Sequence, residues 1–179
     1  ENDLVGVMLP CAVRRLLNQW SVRPGERAVV LTVDDQGVAA AEDLKAAGVE
    51  VAELVDFRDR TPSSVVARGR KGHLRHVLVD GKRVDCDLLV MGGSPQPAYQ
   101  LLAMAGATVA FDAARGVFVP QELPRGISAA GACAGDLGVV AVPPPVLGEG
   151  RKAFVDFCED QTVKDLKYAI DEGYDSIQL

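Results

Sequence analysis

The chain has few aromatic residues, few histidines and no surplus of positive charge. Phe, Trp and Tyr make up 5% of its 179 residues, and there are 2 histidines. Lys and Arg number 19 against 25 Asp and Glu, a net charge of −6. A general binder of nucleic acid or of anionic membranes needs the opposite balance, so nucleic acid is not an expected partner. No apolar run approaches the roughly 20 residues that cross a bilayer, so no membrane partner is expected either. The cysteines, Cys11, Cys86, Cys133 and Cys158, form no C-x-x-C pair. Neither a zinc ribbon nor a complete iron–sulfur motif is therefore written here, and no metal site is expected. They read as reduced, buried thiols of a cytoplasmic protein. No signal-peptide pattern opens the chain, and Glu1 stands first rather than Met. The expectation is a soluble globular piece cut from something longer.

What is present is a core. Apolar residues reach 48%, which excludes extended disorder, and their spacing is mixed α/β. Ala12, Val13, Leu16, Leu17 and Trp20 share one face of a helix after Pro10. The turn Pro24-Gly25 leads into a buried strand at Arg27–Val33, a helix over Gln36–Ala47 capped by Gly48, and a second strand ending at Asp56. Strand, helix and strand in so short a span make a βαβ unit. Arg58–His76 is polar, and Leu74–Val79, Asp80-Gly81 and Lys82–Asp85 read as a hairpin. Asp87–Met91 is an apolar strand ending at Gly92-Gly93, and a helix over Ala98–Ala105 stops at Gly106. Thr108–Phe111 and Val117–Val119 suggest a second hairpin, and Ile127–Ala130 a buried strand that breaks into Gly131–Gly135. Pro143–Pro145 and the loop to Gly150 form a linker. Beyond it, Ala153–Phe157 reads as a strand and Thr162-x-x-Asp165 as a capping box opening a helix that Gly173 ends. Another strand is expected where the chain stops at Leu179.

The βαβ turn Thr32-Val33-Asp34-Asp35-Gln36-Gly37 is a poor phosphate cradle. It has one glycine, and its two carboxylates stand where a pyrophosphate would meet the helix N-terminus. A carboxylate there already satisfies the helix dipole and repels a second anion. Asp34 or Asp35 is thus expected to cap the helix of a degenerate nucleotide fold. Asp56 is placed for a ribose hydroxyl, without the cradle that would bring one to it. Arg68, Arg70, Lys71, His73, Arg75 and His76 form the basic patch. Phosphate binding and metal ligation by the two histidines are weaker readings of it than a solvated edge hairpin. Gly92-Gly93-Ser94-Pro95 and Ile127–Gly135 each place small residues after an apolar strand, where open α/β sheets bind ligands. The candidate cofactor contacts are Gly92, Gly93, Gly131, Ala132 and Cys133. No nucleophile–base pair is visible, so no catalytic residue is expected.

Gly25–Asp56, VDCDLLVMGG (84–93) and GISAAGACAG (126–135) together resemble two-dinucleotide flavoproteins of the pyridine-nucleotide–disulfide reductase type. The tail KAFVDFCEDQTVKDLKYAIDEGYDSIQL (152–179) and the Asp-Asp turn resemble alpha subunits of heterotetrameric sarcosine oxidases. The resemblance implies a Rossmann-like nucleotide module over 1–142, a linker at 143–150 and the start of a following α+β domain at 151–179. It also implies a cytoplasmic amine oxidase of four different subunits. In that family the alpha subunit binds NAD, a partner subunit carries FAD, and an FMN between subunits passes electrons to oxygen. The one-carbon unit passes to tetrahydrofolate.

The departures are specific. The family's first glycine-rich βαβ unit, its main cofactor cradle, lies upstream of Glu1, and the folate domain lies beyond Leu179. Arg58–Arg70 and Gly135–Gly150 are shorter than the family pattern. Relatives of the reductase type often have Gly-Asp at Gly131-Ala132, and Ala132 cannot accept the ribose hydrogen bond of that Asp. Cofactor contact there would fall to backbone groups. Cys158-Glu159 resembles the C-x-C-E start of an iron–sulfur module in amino-acid dehydrogenase subunits, but Asp156 replaces its first cysteine. A subunit of such a dehydrogenase, and a non-enzymatic assembly module, are the alternative readings.

Overall fold

Four parallel strands form the centre of the computed structural model, which describes residues 3–93, 95–137, 154–156 and 161–174. They are β1 (Val7–Met8), β2 (Arg27–Thr32), β3 (Glu50–Asp56) and β7 (Leu88–Met91), in the order β1-β7-β2-β3. The helices α1 (Pro10–Trp20) and α2 (Asp35–Ala46) connect them. Between β3 and β7 the chain makes an antiparallel meander of β4 (Val65–Arg70), β5 (His73–Val79) and β6 (Lys82–Asp85).

Strand β2 is the axis of the fold because its residues from Ala28 to Leu31 are all apolar and all fully buried. Side chains of a strand alternate, so such a run must be covered on both faces. Ala28 and Val30 pack with Val13 of α1 and with Ala40, Ala41 and Leu44 of α2. Val29 and Leu31 pack with Val65, Leu74, Val77 and Val79 of the meander. The result is three layers: helices, parallel sheet, meander. Burying each Leu or Val of this kind contributes about 1.5–3 kcal/mol, which is why β2 and β7 need no polar support along their length.

The turns follow the chemistry expected of them. Gly48, at φ +78°, terminates α2 with Gly48 N–H donating to Lys45 O and Val49 N–H to Leu44 O. Asp80-Gly81 closes the β5–β6 hairpin with φ of 49° and 79°, the pair of positive values that a tight hairpin turn requires. Lys71-Gly72, at 53° and 77°, does the same between β4 and β5. Asp80 also fastens the β3–β4 loop: its carboxylate accepts from Ser63 N–H at 2.6 Å, Ser63 Oγ at 2.8 Å and Arg60 Nη2 at 2.9 Å. Those donors hold its carboxyl below the usual carboxylate range, Ser63 contributing most.

Beyond β7 the chain is thinner. Helix α3 (Gln100–Met104), the hairpin β8 (Val109–Asp112) with β9 (Val117–Pro120), and a 3-10 turn (Gly131–Ala134) follow. In the tail, β10 (Phe154–Asp156) pairs with β11 (Gln161–Thr162), and α4 (Val163–Asp171) opens on Thr162 and Asp165 in a reciprocal capping box. Thr162 donors hold the Asp165 carboxyl below its ordinary range.

Several expectations are corrected. Arg58–His76 is not simply a polar stretch, since it contains the whole of β4. Ile127–Ala130 is neither a strand nor buried, and Ile127 is 37% exposed. One β-branched residue among Gly, Ser and Ala offers too little area to bury and a weak strand preference. Trp20 lies on the helix face expected to be buried, yet it is 66% exposed at the last turn. The helix expected at Ala98–Ala105 is limited to Gln100–Met104. Of the thiols expected to be buried, Cys86 is buried and Cys11 is exposed. Ser94, the linker at 143–150, Cys158 and the strand expected near Leu179 lie outside the described residues.

Candidate functional site

Open α/β sheets bind ligands at the carboxyl ends of their strands, where neighbouring connections leave in opposite directions. Here the carboxyl ends of β7, β2 and β3 lie side by side, and the crossovers β1–α1–β2 and β2–α2–β3 run on the same face of the sheet. From β2 the chain passes through α2 to β3 on one side, and β7 is its neighbour on the other. These strand ends are formed by Thr32–Asp35 after β2, by Asp56–Arg58 at the end of β3, and by Gly92 at the end of β7.

The turn after β2 retains the packing glycine of a dinucleotide fingerprint and none of its phosphate-facing ones. In the spacing G-x-G-x-x-G, this chain has Thr32, Asp34 and Gly37. The third glycine of that pattern lets helix and strand approach closely, and Gly37 does so: a Cβ there would lie 2.2 Å from Thr32 Oγ1 and 2.3 Å from its Cβ. Thr32 is fully buried, and its hydroxyl donates to Asp34 O at 2.8 Å. Asp34 is the N-cap of α2, its Oδ1 accepting from Gln36 N–H at 3.0 Å and Gly37 N–H at 3.4 Å. The donors that a pyrophosphate would use are thus taken by a side chain of the fold.

Asp56 is taken as well. Arg58 wraps back onto it, donating from Nε at 3.0 Å, from Nη2 at 2.6 Å and from its backbone N–H at 3.0 Å. The same guanidinium donates from Nη1 to Asp35 Oδ1 at 2.7 Å. Asp56 is 13% exposed at its side chain and Asp35 90%, so Arg58 ties an interior acid to a surface one. The Arg58 hydrogen bonds hold the Asp56 carboxyl below its ordinary range and raise the guanidinium above its own. Three carboxylates against one arginine leave the mouth negative. An added phosphate charge about 4 Å from one of them is repelled by roughly 1–4 kcal/mol, depending on local screening. Sequence reasoning identified Asp34, Asp35 and Asp56 but missed Arg58, whose two-residue spacing from Asp56 was the available signal.

The expected cofactor contacts fall in two places. Gly92 is buried, its N–H donating to Leu31 O at 2.8 Å, and a Cβ there would lie 3.2 Å from Thr32 Oγ1 and 3.3 Å from Pro10 Cγ. Gly93 is exposed, with nothing near its Cβ direction. Gly131, Ala132 and Cys133 lie in the 3-10 turn beside β9, anchored by Arg115 Nη1 donating to Gly135 O at 2.8 Å. The Cys133 thiol donates to Ala130 O at 3.2 Å. Among the described residues no hydrogen bond joins the Gly92 end to the Gly131 turn. His73 is exposed and His76 half-buried on β5, and their odd spacing along a strand sends them to opposite faces. Burial, reinforced by Asp87, pushes the Cys86 thiol up to about 11, which makes it an inert core group. Two concave surfaces lie elsewhere: one of about 380 Å³ between Ala52 and Val84, and one of about 640 Å³ beside β1.

Residues 150–179 match the sarcosine oxidase A3 domain. The sarcosine oxidase subunit alpha of Rhizobium meliloti (strain 1021) is 28% identical over 234 residues, covering 99% of this chain and 24% of the relative. The chain is similar to sarcosine oxidase alpha subunits over most of its length. The corresponding subunit of Corynebacterium sp. (strain P-1) is 26% identical over 250 residues, covering 99% of this chain and 26% of that one. The chain therefore spans about a quarter of the length of these curated relatives. Both alignments are longer than the 179 residues of this chain, so the sarcosine oxidase subunits carry internal segments that it lacks. Among solved structures, L-proline dehydrogenase from P. horikoshii matches with a TM-score of 0.59 at 20% identity, over 74% of this chain and 26% of that one. This likeness bears on the fold alone, which is mixed α/β. Among the described residues, no helix is long and apolar enough to cross a membrane.

Proposed function

We infer that this chain is a nucleotide-fold scaffold within a cytoplasmic sarcosine oxidase-like complex and carries no catalytic residue of its own. The whole complex would oxidise sarcosine to glycine with flavin, pass the one-carbon unit to tetrahydrofolate and reduce oxygen to peroxide. FAD and FMN would be held with other subunits of a heterotetramer. The reading is supported by the similarity along the chain together with one observation at the carboxyl ends of β2 and β3: Asp34 caps α2 while Arg58 is shared between Asp56 and Asp35.

NAD does not fit the mouth of β2 and α2, because the phosphate donors are engaged and the local charge is negative. What this module can offer a cofactor held chiefly elsewhere is backbone, at Gly92, Gly93, Gly131, Ala132 and Cys133. Gly93 and Gly131 have open space where a side chain would stand, so a planar or sugar group can approach them.

Oxygen uptake with sarcosine by the isolated 179-residue chain tests the scaffold role. No turnover is expected, and turnover without other subunits would overturn it. Iron content and visible absorption separate this reading from an iron–sulfur dehydrogenase subunit, which requires bound iron.

A further inference from the structure

The groove of about 640 Å³ beside β1 shares no residue with the carboxyl ends of the strands described above. Its floor is apolar, made by Leu4, Val7, Met8, Leu16 and Leu74. Arg75 gives the rim its positive charge, His73 stands beside it, and Arg70 and Lys71 follow at the tip of the same hairpin. Backbone bonds hold that tip at the groove: Val5 N–H donates to Gly72 O at 2.8 Å, and Leu74 N–H donates to Val5 O at 2.9 Å.

Two features say what such a groove would take. The first is charge. Arg14, Arg27, Arg58, Arg60, Arg83 and Arg115 are each paired to a carboxylate. Arg70, Lys71 and Arg75 are exposed and have no ion pair among the described residues. The groove's own acid, Asp87, is engaged by backbone donors, accepting from Glu26 N–H at 3.0 Å and Arg27 N–H at 2.8 Å. The rim is thus a concentrated positive site on a chain of net charge −6. The second is shape. β1 is the last strand of its sheet, bonded to β7 along one side; the Val7 N–H is taken by Leu4 O and Val5 pairs with the hairpin tip, so what the groove offers there is side chains, Val5 being 62% exposed.

We propose that this groove binds an extended peptide segment of a partner protein that alternates apolar and carboxylate side chains. Its apolar residues lie on the floor along β1, and its acids face Arg75, Lys71 and Arg70. An extended ligand projects side chains with period two, which matches an apolar floor flanked by a charged rim. A nucleic acid would find the rim but not the floor, and the remainder of the acidic surface repels it.

The probe is a fluorescein-labelled decapeptide alternating Glu and Val, titrated against the 179-residue chain by fluorescence anisotropy. Saturable binding is expected, weakening about tenfold or more in the double variant Lys71→Glu, Arg75→Glu and weakening with added salt. Both sites are exposed, so the variant keeps the fold, as its far-UV circular dichroism and melting curve check. Val5→Asp should weaken binding similarly. In a ¹⁵N-resolved spectrum the peptide should move the amides of residues 4–8 and 72–75. The proposal is overturned by no saturable binding, by equal binding of the peptide with Lys for Glu, or by unchanged affinity in the double variant. It is also overturned by shifts centred on β3, by tighter binding of an oligo-dT strand, or by self-association of the chain through the same residues.

Discussion

The region from β1 to β7 and the region from Pro95 to Leu137 are built from similar proportions of small apolar residues, yet they differ sharply in what they bury. The first contains two continuous clusters, one on each face of the parallel sheet. The second has Val117 and Val119 with Leu137 against them, while Leu101 is 78% exposed, Met104 84% and Phe111 57%. Phe118 meets Phe111 at 5.1 Å and Tyr99 at 6.3 Å with the rings tilted, but from a surface position. The lesson is that a strand buried on both faces organises its neighbours, whereas a lone two-stranded hairpin is marginal in water.

The largest effect should come from the axis of the first region. Leu31→Ala, at a fully buried position, is expected to cost about 2–5 kcal/mol in urea unfolding. A cost below that of Phe118→Ser would break the comparison. That surface change is expected to cost about 1 kcal/mol or less. Gly37→Ala comes next at about 1–3 kcal/mol, because its methyl must displace the buried Thr32 side chain. Asp34→Ala removes the cap of α2 and should cost about 0.5–2 kcal/mol, read as a lowered melting temperature.

Acid sharpens the comparison most gently. Asp43, held down by Arg14 and Asn18, Asp56 by Arg58 and Asp80 by Ser63 all lie in the first region. Asp112, held down by Arg115, lies in the second. A carboxyl depressed in the folded state is protonated first in the unfolded chain. Its contribution is therefore complete above the ordinary value near 3.8 and is lost as pH falls through the lower folded values. Stability should be flat from neutral pH down to about 5 and fall below about 4. A loss beginning near pH 6 would contradict this assignment.

Legibility in the sequence tracked burial. The run Ala28–Leu31, the cap Gly48, the turn Asp80-Gly81 and the Thr162 capping box are local signals with local causes, and each appears where expected. β4 escaped because Val65–Ala67 is a short apolar run followed by Arg, Gly and Arg, and only pairing with β5 makes it a strand. Ile127–Ala130 misled for the opposite reason: its pattern suggests a strand, but no strand pairs with it among the described residues. At the carboxyl ends of β2 and β3, the acids were legible as residue types. Of Arg58 only the local pairing with Asp56 was legible; its bond to Asp35 depends on the fold bringing the end of β3 beside the start of α2.

The central claim is that side chains of this chain fill the place where a dinucleotide's phosphates and ribose would bind. Isothermal titration of NAD into the 179-residue chain addresses it directly. No saturable heat is expected at millimolar nucleotide. Saturable micromolar binding that shifts the amides of Asp34–Gly37 would contradict it.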